Sequence, residues 1–354
     1  MNLILLWLAF FVCTLAIFYS GAKLSRYGDI IAEKTGLGGV WIGVILLAFI
    51  TSLPELVTGI SSVVIFQVPD IAAGDIFGSC VFNMLILAIL DIFDRASPIS
   101  SRVHQRHTLS AGFGILFLTV AAVSIFLSNS QAVVPGPLEG SSTPRFLTGV
   151  TVFGWIGLYT PFILLLYLVT VRLIFVHEKR AMNAFVKEKI EELKYGDIAK
   201  KHVYINFAVN AAVVVLAAIL LPEVGASIAE ITGLGQTFVG SILIAVSTSL
   251  PEIVVSITAL KIGASDMAIG NLFGSNIFNI GILAVDDLFF IKGPLLSYID
   301  TTHIVSALAA VIMTTVAIIG LTYRARKKAL FISWDAAGIV AVYIFNVITL
   351  YVLR

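Results

Sequence analysis

Thr51-Ser52-Leu53-Pro54-Glu55 recurs as Thr248-Ser249-Leu250-Pro251-Glu252, 197 positions later. Each copy lies inside a long apolar run, so a carboxylate, two hydroxyls and a helix-breaking proline interrupt what would otherwise be continuous apolar helix. Polar groups inside a membrane segment are costly and mark function. The copies extend upstream: Gly36–Glu55 reads GLGGVWIGVILLAFITSLPE and Gly233–Glu252 reads GLGQTFVGSILIAVSTSLPE, identical at twelve of twenty positions. They resume at Gly74–Asn83, GDIFGSCVFN, against Gly270–Asn279, GNLFGSNIFN, identical at six of ten. The chain is therefore an internal duplication.

Apolar residues make up 59% of the 354 residues and charged residues only 12%, with a mean hydropathy of +1.03. Soluble domains carry roughly 25% charged residues, so the composition predicts an all-α, multi-pass integral membrane protein. A net charge of +1 and the absence of a basic, aromatic-interleaved stretch exclude nucleic acid as a partner. Cys13 and Cys80 both fall in apolar spans and read as free packing residues.

Ten runs satisfy the roughly 20-residue length needed to span a bilayer: 3–22, 39–66, 71–92, 108–127, 146–176, 203–221, 237–262, 267–291, 302–323 and 330–353. The first lacks a preceding positive charge and a cleavage site and so reads as a helix rather than a secretory leader. With the N-terminus outside, eighteen Lys and Arg fall in inner loops, against Arg145, Lys292 and Arg354 outside and Arg172 near a helix end. Positive charge collects on the cytoplasmic side, which predicts N-out and C-out. Residues 1–176 and 203–354 form two five-helix halves, with the repeated units at about 28–92 and 225–288. The charged linker 177–202 carries Met182, Val186, Ile190 and Leu193 at helical spacing, the pattern of an amphipathic surface helix or a solvated connector. The outer loop Ser128–Arg145 is rich in Ser, Pro and Gly. Five helices separate corresponding points, so the halves thread the bilayer in opposite directions. Inverted repeats with interrupted helices characterise secondary transporters, whose sites lie near the midplane.

Proline lacks an amide hydrogen, so the carbonyls of Ile50 and Ser247 lose their helical partners and become candidate cation ligands. Thr51 and Glu55, like Thr248 and Glu252, share a helix face. On the following helix Asp75, Ser79 and Asn83 recur every four residues, matched by Asn271, Ser275 and Asn279. Gly74, Gly78, Gly270 and Gly274 let backbones approach closely. Every candidate donor is a hard oxygen, suited to Ca²⁺ or Na⁺, and two glutamates would neutralise one divalent ion. Asp91, Asp286 and Asp287 stand at helix ends and read as solvent-facing.

These motifs resemble the α-repeats of sodium/calcium exchangers within the cation/calcium exchanger superfamily, especially the ten-helix prokaryotic type; the remaining helices match in number alone. The resemblance implies a cluster of cation sites with Glu55 and Glu252 as shared central ligands. Thr51, Ser52, Thr248 and Ser249 would add hydroxyl or carbonyl oxygens, Ala48 and Ala245 backbone carbonyls, and Ser79, Asn83, Ser275 and Asn279 would close the sites. This chain departs from the pattern: Asn83 and Asn279 are both amides where one is often Asp, Asp75 replaces an Asn, Cys80 replaces an Asn, and Ile50 and Ser247 replace a small residue. Asp75, with its counterpart Asn271, either faces the ions or stands behind their ligands. The implied function is antiport of Ca²⁺ against Na⁺, without a cofactor and with a monomer sufficient, in a prokaryotic plasma membrane. Ca²⁺/H⁺ antiport through the same glutamates and passive cation conduction are the alternatives. An intramembrane aspartyl protease fails because Asp75 lacks a catalytic partner, and enzyme chemistry is not expected.

Overall fold

The computed structural model describes residues 2–34, 48–94, 97–130, 151–185, 200–325, 327–328 and 331–354. Its helices are α1 (Leu3–Lys34), α2 (Leu53–Ser61), α3 (Pro69–Phe93), α4 (His107–Ser130), α5 (Tyr159–Phe185), α6 (Lys200–Thr232), α7 (Leu250–Lys261), α8 (Ser265–Phe289), α9 (His303–Tyr323) and α10 (Trp334–Leu353). Eight of these are long and apolar enough to cross a membrane. Helix α7 and the preceding Gln236–Thr248 form one bent pair, turned by 44° at Ser249. Its counterpart α2 follows helical residues 48–51 and ends in the π-helical turn Ser62–Phe66.

Several boundaries differ from the hydropathy reading. Helices α1 and α6 run well past Ala22 and Leu221, carrying Lys23, Arg26, Glu223 and Glu230 on regular helix rather than in loops. The fifth span begins at Tyr159 instead of Phe146, because a short antiparallel hairpin, β1 (Thr151–Phe153) with β2 (Ile156–Gly157), precedes it and turns at Gly154 with φ +63°. Hydropathy counts apolar residues alike in helix and hairpin, so it could not see this turn. The linker residues 186–199 and the outer-loop residues 131–150 lie outside the described residues.

Helices α3 and α8, which carry the second motif of each repeat, are the most enclosed membrane segments, with 78% and 83% of their apolar windows buried. The principal apolar cluster surrounds them and draws on α4, α5, α9 and α10. A separate cluster joins α1 and α6, through Leu6, Ile17, Leu221 and Ile228, to Val239 and Ile244. Lipid is as apolar as leucine, so close van der Waals fit and internal hydrogen bonds hold such helices together. Gly74 and Gly78 supply that fit: a Cβ on Gly74 would stand 2.9 Å from the Gly240 Cα, and one on Gly78 would meet the Ser241 backbone.

Polar staples close the ends of the two central helices. At one end, Asp287 accepts hydrogen bonds from the Gly157 and Leu295 amides, at 2.9 and 2.6 Å, and from the Tyr159 and Thr160 hydroxyls. At the other, Asp91 accepts from the Ile99 amide at 2.8 Å and the Ser333 amide at 2.9 Å, and pairs with Lys328 at 3.3 Å. Each carboxylate thus tethers the start of the fifth helix of the opposite half. A second pair of staples joins His303 to Asp70 at 3.1 Å and His107 to Asp266 at 2.9 Å. The expectation that Asp91, Asp286 and Asp287 face solvent is overturned: all three are fully buried. Charge at a helix end suggested exposure, but loops fold back over Asp91 and Asp287 and present amides to them.

Gly78→Ala places its methyl 2.6 Å from the Ser241 Cα and the Ala245 Cβ, and should lower stability by about 1–3 kcal/mol through overpacking. Gly112→Ala, where nothing lies within 4 Å, should be neutral. Thermal unfolding of both variants in detergent checks the contrast.

Candidate functional site

Both repeated motifs fold the same way. The helix entering each one stops at Ser52 (φ −88°, ψ 14°) or Ser249 (φ −87°, ψ 10°), a sparsely populated backbone region, and restarts at once as α2 or α7. Pro54 and Pro251 therefore sit in a first helical turn, where an amide hydrogen has no intrahelical partner to lose. Glu55 and Glu252 occupy the same turn, at the positive end of the helix dipole. The break serves a carboxylate: it turns a helix N-terminus toward each glutamate inside the protein.

The two glutamates are fully buried and each leans on the other repeat. Ser249 Oγ donates to Glu55 Oε1 at 2.9 Å, and Ser52 Oγ donates to Glu252 Oε1 at 3.2 Å. Ser79 extends the first arrangement, lying 2.9 Å from Ser249 Oγ and 3.5 Å from Glu55 Oε1. Its counterpart Ser275 lies beside Glu252. Glu55, Glu252 and Asp75 are within electrostatic range of one another.

Asp75 belongs to this cluster. Its Oδ1 accepts from Thr248 Oγ1 at 2.7 Å, so it braces the opposite repeat's motif. Asn83 Nδ2 donates to Asn276 Oδ1 at 3.0 Å, and Asn276 Nδ2 donates to the Cys80 carbonyl at 3.2 Å, which ties α3 to α8 directly. Asn276, the counterpart of Cys80, is a bridging residue that the sequence reading did not single out. Thr51 Oγ1 donates to the Ala48 carbonyl at 3.2 Å, and Thr248 Oγ1 approaches the Ala245 carbonyl at the same distance. These two carbonyls also accept the Ser52 and Ser249 amides, at 3.0 and 3.1 Å.

Unpaired buried atoms occur at several places among the described residues, and one group of them lies at this centre. One oxygen of each glutamate (Oε2), Asp75 Oδ2, Asn83 Oδ1, Ser275 Oγ and the whole amides of Asn271 and Asn279 are buried without a hydrogen-bond partner among the described residues. An unsatisfied buried polar group costs about 1–3 kcal/mol, and a charged one more, so this concentration asks for a ligand. Among the described residues no three His, Cys, Asp or Glu side chains are grouped to hold a metal ion. A cation at this centre would depend on hydroxyl and amide oxygens as well as on carboxylate charge.

The sequence reading missed the end staples, yet their signal was present. Asp70 and Asp266, Asp91 and Asp287, Pro98 and Pro294, and His107 and His303 are each 196 residues apart, the same offset that relates Asn83 to Asn279. The duplication thus continues through the start of the fourth helix of each half.

Comparison with known proteins agrees with this architecture. The family model for the sodium/calcium exchanger protein matches residues 5–171 and 202–352. Relatives include the inner membrane protein YrbG of Escherichia coli, 25% identical over 76% of this chain and 75% of that protein. The sodium/calcium exchanger MaX1 of Methanosarcina acetivorans is 25% identical over 80% and 83% respectively. In fold the chain is similar to the sodium-calcium exchanger NCX_Mj, with a TM-score of 0.61 and 23% identity over 98% of this chain and 99% of that one. It is also similar to native YfkE, with a TM-score of 0.63 and 18% identity over 97% and 92%. The family is one of multi-pass membrane antiporters rather than enzymes. With its match covering both halves, the chain belongs to the sodium/calcium exchanger protein family.

Proposed function

We propose that the protein exports Ca²⁺ in exchange for Na⁺ through one midplane site shared by both repeats. The observation that carries this reading is the pair of buried glutamates, each with one oxygen held by a serine of the other repeat and one oxygen left without a partner. Glu55 and Glu252 are the central ligands. Thr51, Ser52, Thr248, Ser249, Ser79, Asn83, Ser275 and Asn279 complete the oxygen set, with backbone carbonyls from Ala48 and Ala245. Two carboxylates balance one Ca²⁺ or more than one Na⁺, so both ions compete for the same oxygens and bind alternately. A half-loaded site leaves buried charge uncompensated and resists crossing, which couples the two fluxes. The ions are cargo, and no cofactor enters the scheme.

The same reading includes ten spans in two inverted halves, residues 1–176 and 203–354 joined by 177–202, with both termini outside a prokaryotic plasma membrane. The charge bias of the loops supports the orientation, and the mirrored staples around α3 and α8 support the inverted pairing. A monomer contains the whole site.

Proteoliposomes loaded with Na⁺ at clamped pH should take up radioactive calcium when the sodium gradient is imposed. Uptake driven only by a proton gradient would replace Na⁺ by H⁺ as the coupling ion, and downhill flux without a counter-ion would indicate a channel. Glu55→Gln and Glu252→Gln should each reduce exchange by at least about 100-fold, the cost of a lost ligand charge at a dry site, while the purified variants remain monodisperse. Asp75→Asn should change the sodium dependence of exchange, because its second oxygen is unpartnered beside the glutamates; an unchanged profile would place it behind the ligands.

A further inference from the structure

Asp286 is the one buried carboxylate among the three at the helix ends that no staple explains. Its side chain is fully buried in α8 and, among the described residues, neither oxygen has a hydrogen-bond partner. It follows Asn279 by seven residues, two helical turns, and so lies on the same stripe of α8 as Ser275 and Asn279. Across from it stands Gly59 of α2, where an added Cβ would lie 2.6 Å from Asp286 Oδ1 and 2.8 Å from its Cγ. Gly59 is one turn beyond Glu55 on the same face. The carboxylate is thus laid over a gap in α2 that only glycine leaves open.

The repeat counterparts show that this is a local addition. Asp286 corresponds to Leu90 and Gly59 to Ser256, so the first repeat's central helix has a leucine where the second has a charge. The fold does not require a carboxylate at this level. Asp286 is also within electrostatic range of Asp75 and Asp287, and like charges buried together oppose each other unless a cation intervenes.

The geometry points to Asp286 as a second, outlying cation station on the path between the central glutamates and the membrane face that carries Asp287. A carboxylate with neither oxygen hydrogen-bonded among the described residues suits transient capture of a Na⁺ or Ca²⁺ ion that keeps part of its water. This inference rests on the exchange reading above and adds an access route to it. In the orientation set by loop charge, that face is the outer one.

The test uses the full-length protein in right-side-out and inverted membrane vesicles, assaying sodium-dependent calcium exchange with cation titrated from each face. Asp286→Leu introduces the residue that the first repeat already tolerates, and Asp286→Asn keeps the size while removing the charge. Both should raise the half-saturating cation concentration about fivefold or more from the Asp287 face, the effect of one lost charge in a partly screened path. From the opposite face the change should be under about twofold. Equal shifts from both faces, no shift in either variant, or a changed pH profile with unchanged cation affinity would each overturn the assignment. Wild-type vesicles lacking sodium-dependent exchange would instead refute the exchange reading itself, which keeps the two failures distinguishable.

Discussion

The structure turns on a reciprocal hydrogen bond: a serine of each repeat donates to the glutamate of the other. Each serine reaches past the glutamate of its own helical turn to the glutamate of the other repeat. Pairing across the interface solves two problems together. It half-satisfies each buried carboxylate, and it fixes the two helix breaks opposite one another. The second oxygen of each carboxylate is then forced to look elsewhere, and the surrounding amides and hydroxyls of α3 and α8 do not fill that need.

The contrast between the middle and the ends of α3 and α8 gives this arrangement its meaning. At the ends, two buried carboxylates are well supplied: Asp287 receives four donors, and Asp91 receives two amides and a lysine. These contacts cross between halves and hold the start of each fifth helix. A chain able to satisfy Asp91 and Asp287 in this way has no stereochemical need to leave Glu55, Glu252, Asp75, Asn271 and Asn279 partly bare between them. Within a bilayer no bulk water makes up the deficit. Among the described residues, the incompleteness gathers carboxylates and amides of both repeats at the level at which the helices break, with Asp286 unpaired beyond it.

Much of this was legible in the sequence because it depends on residues that the membrane makes rare. Two copies of Thr-Ser-Leu-Pro-Glu in apolar runs located the breaks, and the four-residue spacing of Asp75, Ser79 and Asn83 located the facing stripe. The structure brings Glu55, Glu252, Ser52, Ser249, Ser79, Thr248 and Asp75 into one hydrogen-bonded group. What hydropathy could not deliver was the length of α1 and α6, whose polar ends continue as helix, or the hairpin before Tyr159. The aspartates at the helix ends were misread for a related reason. Position along a helix says little about exposure when a returning loop supplies amides, and those amides come from residues up to 242 positions away. The fixed offset of 196 residues held that information, since a duplicated aspartate paired with a duplicated histidine is difficult to explain as surface charge.

The two repeats share geometry but not charge, and this difference has a physical consequence. If the halves were identical, inversion would make the routes from the site to the two membrane faces equivalent. Here Asp75 stands opposite Asn271, Asn276 opposite Cys80, and the Gly59/Asp286 pair opposite Ser256/Leu90. Asp75 and Asp286 each add a carboxylate to one copy only, and both are buried. Beside α2, one helical turn beyond Glu55, the end of α8 therefore places a carboxylate, whereas the corresponding place beside α7 and the end of α3 holds Ser256 and Leu90. Buried charge is weakly screened, so such a difference makes the electrostatic potential on the two sides of the glutamate pair unequal. Duplication supplies the crossed glutamates, and divergence between the copies leaves them in unequally charged surroundings.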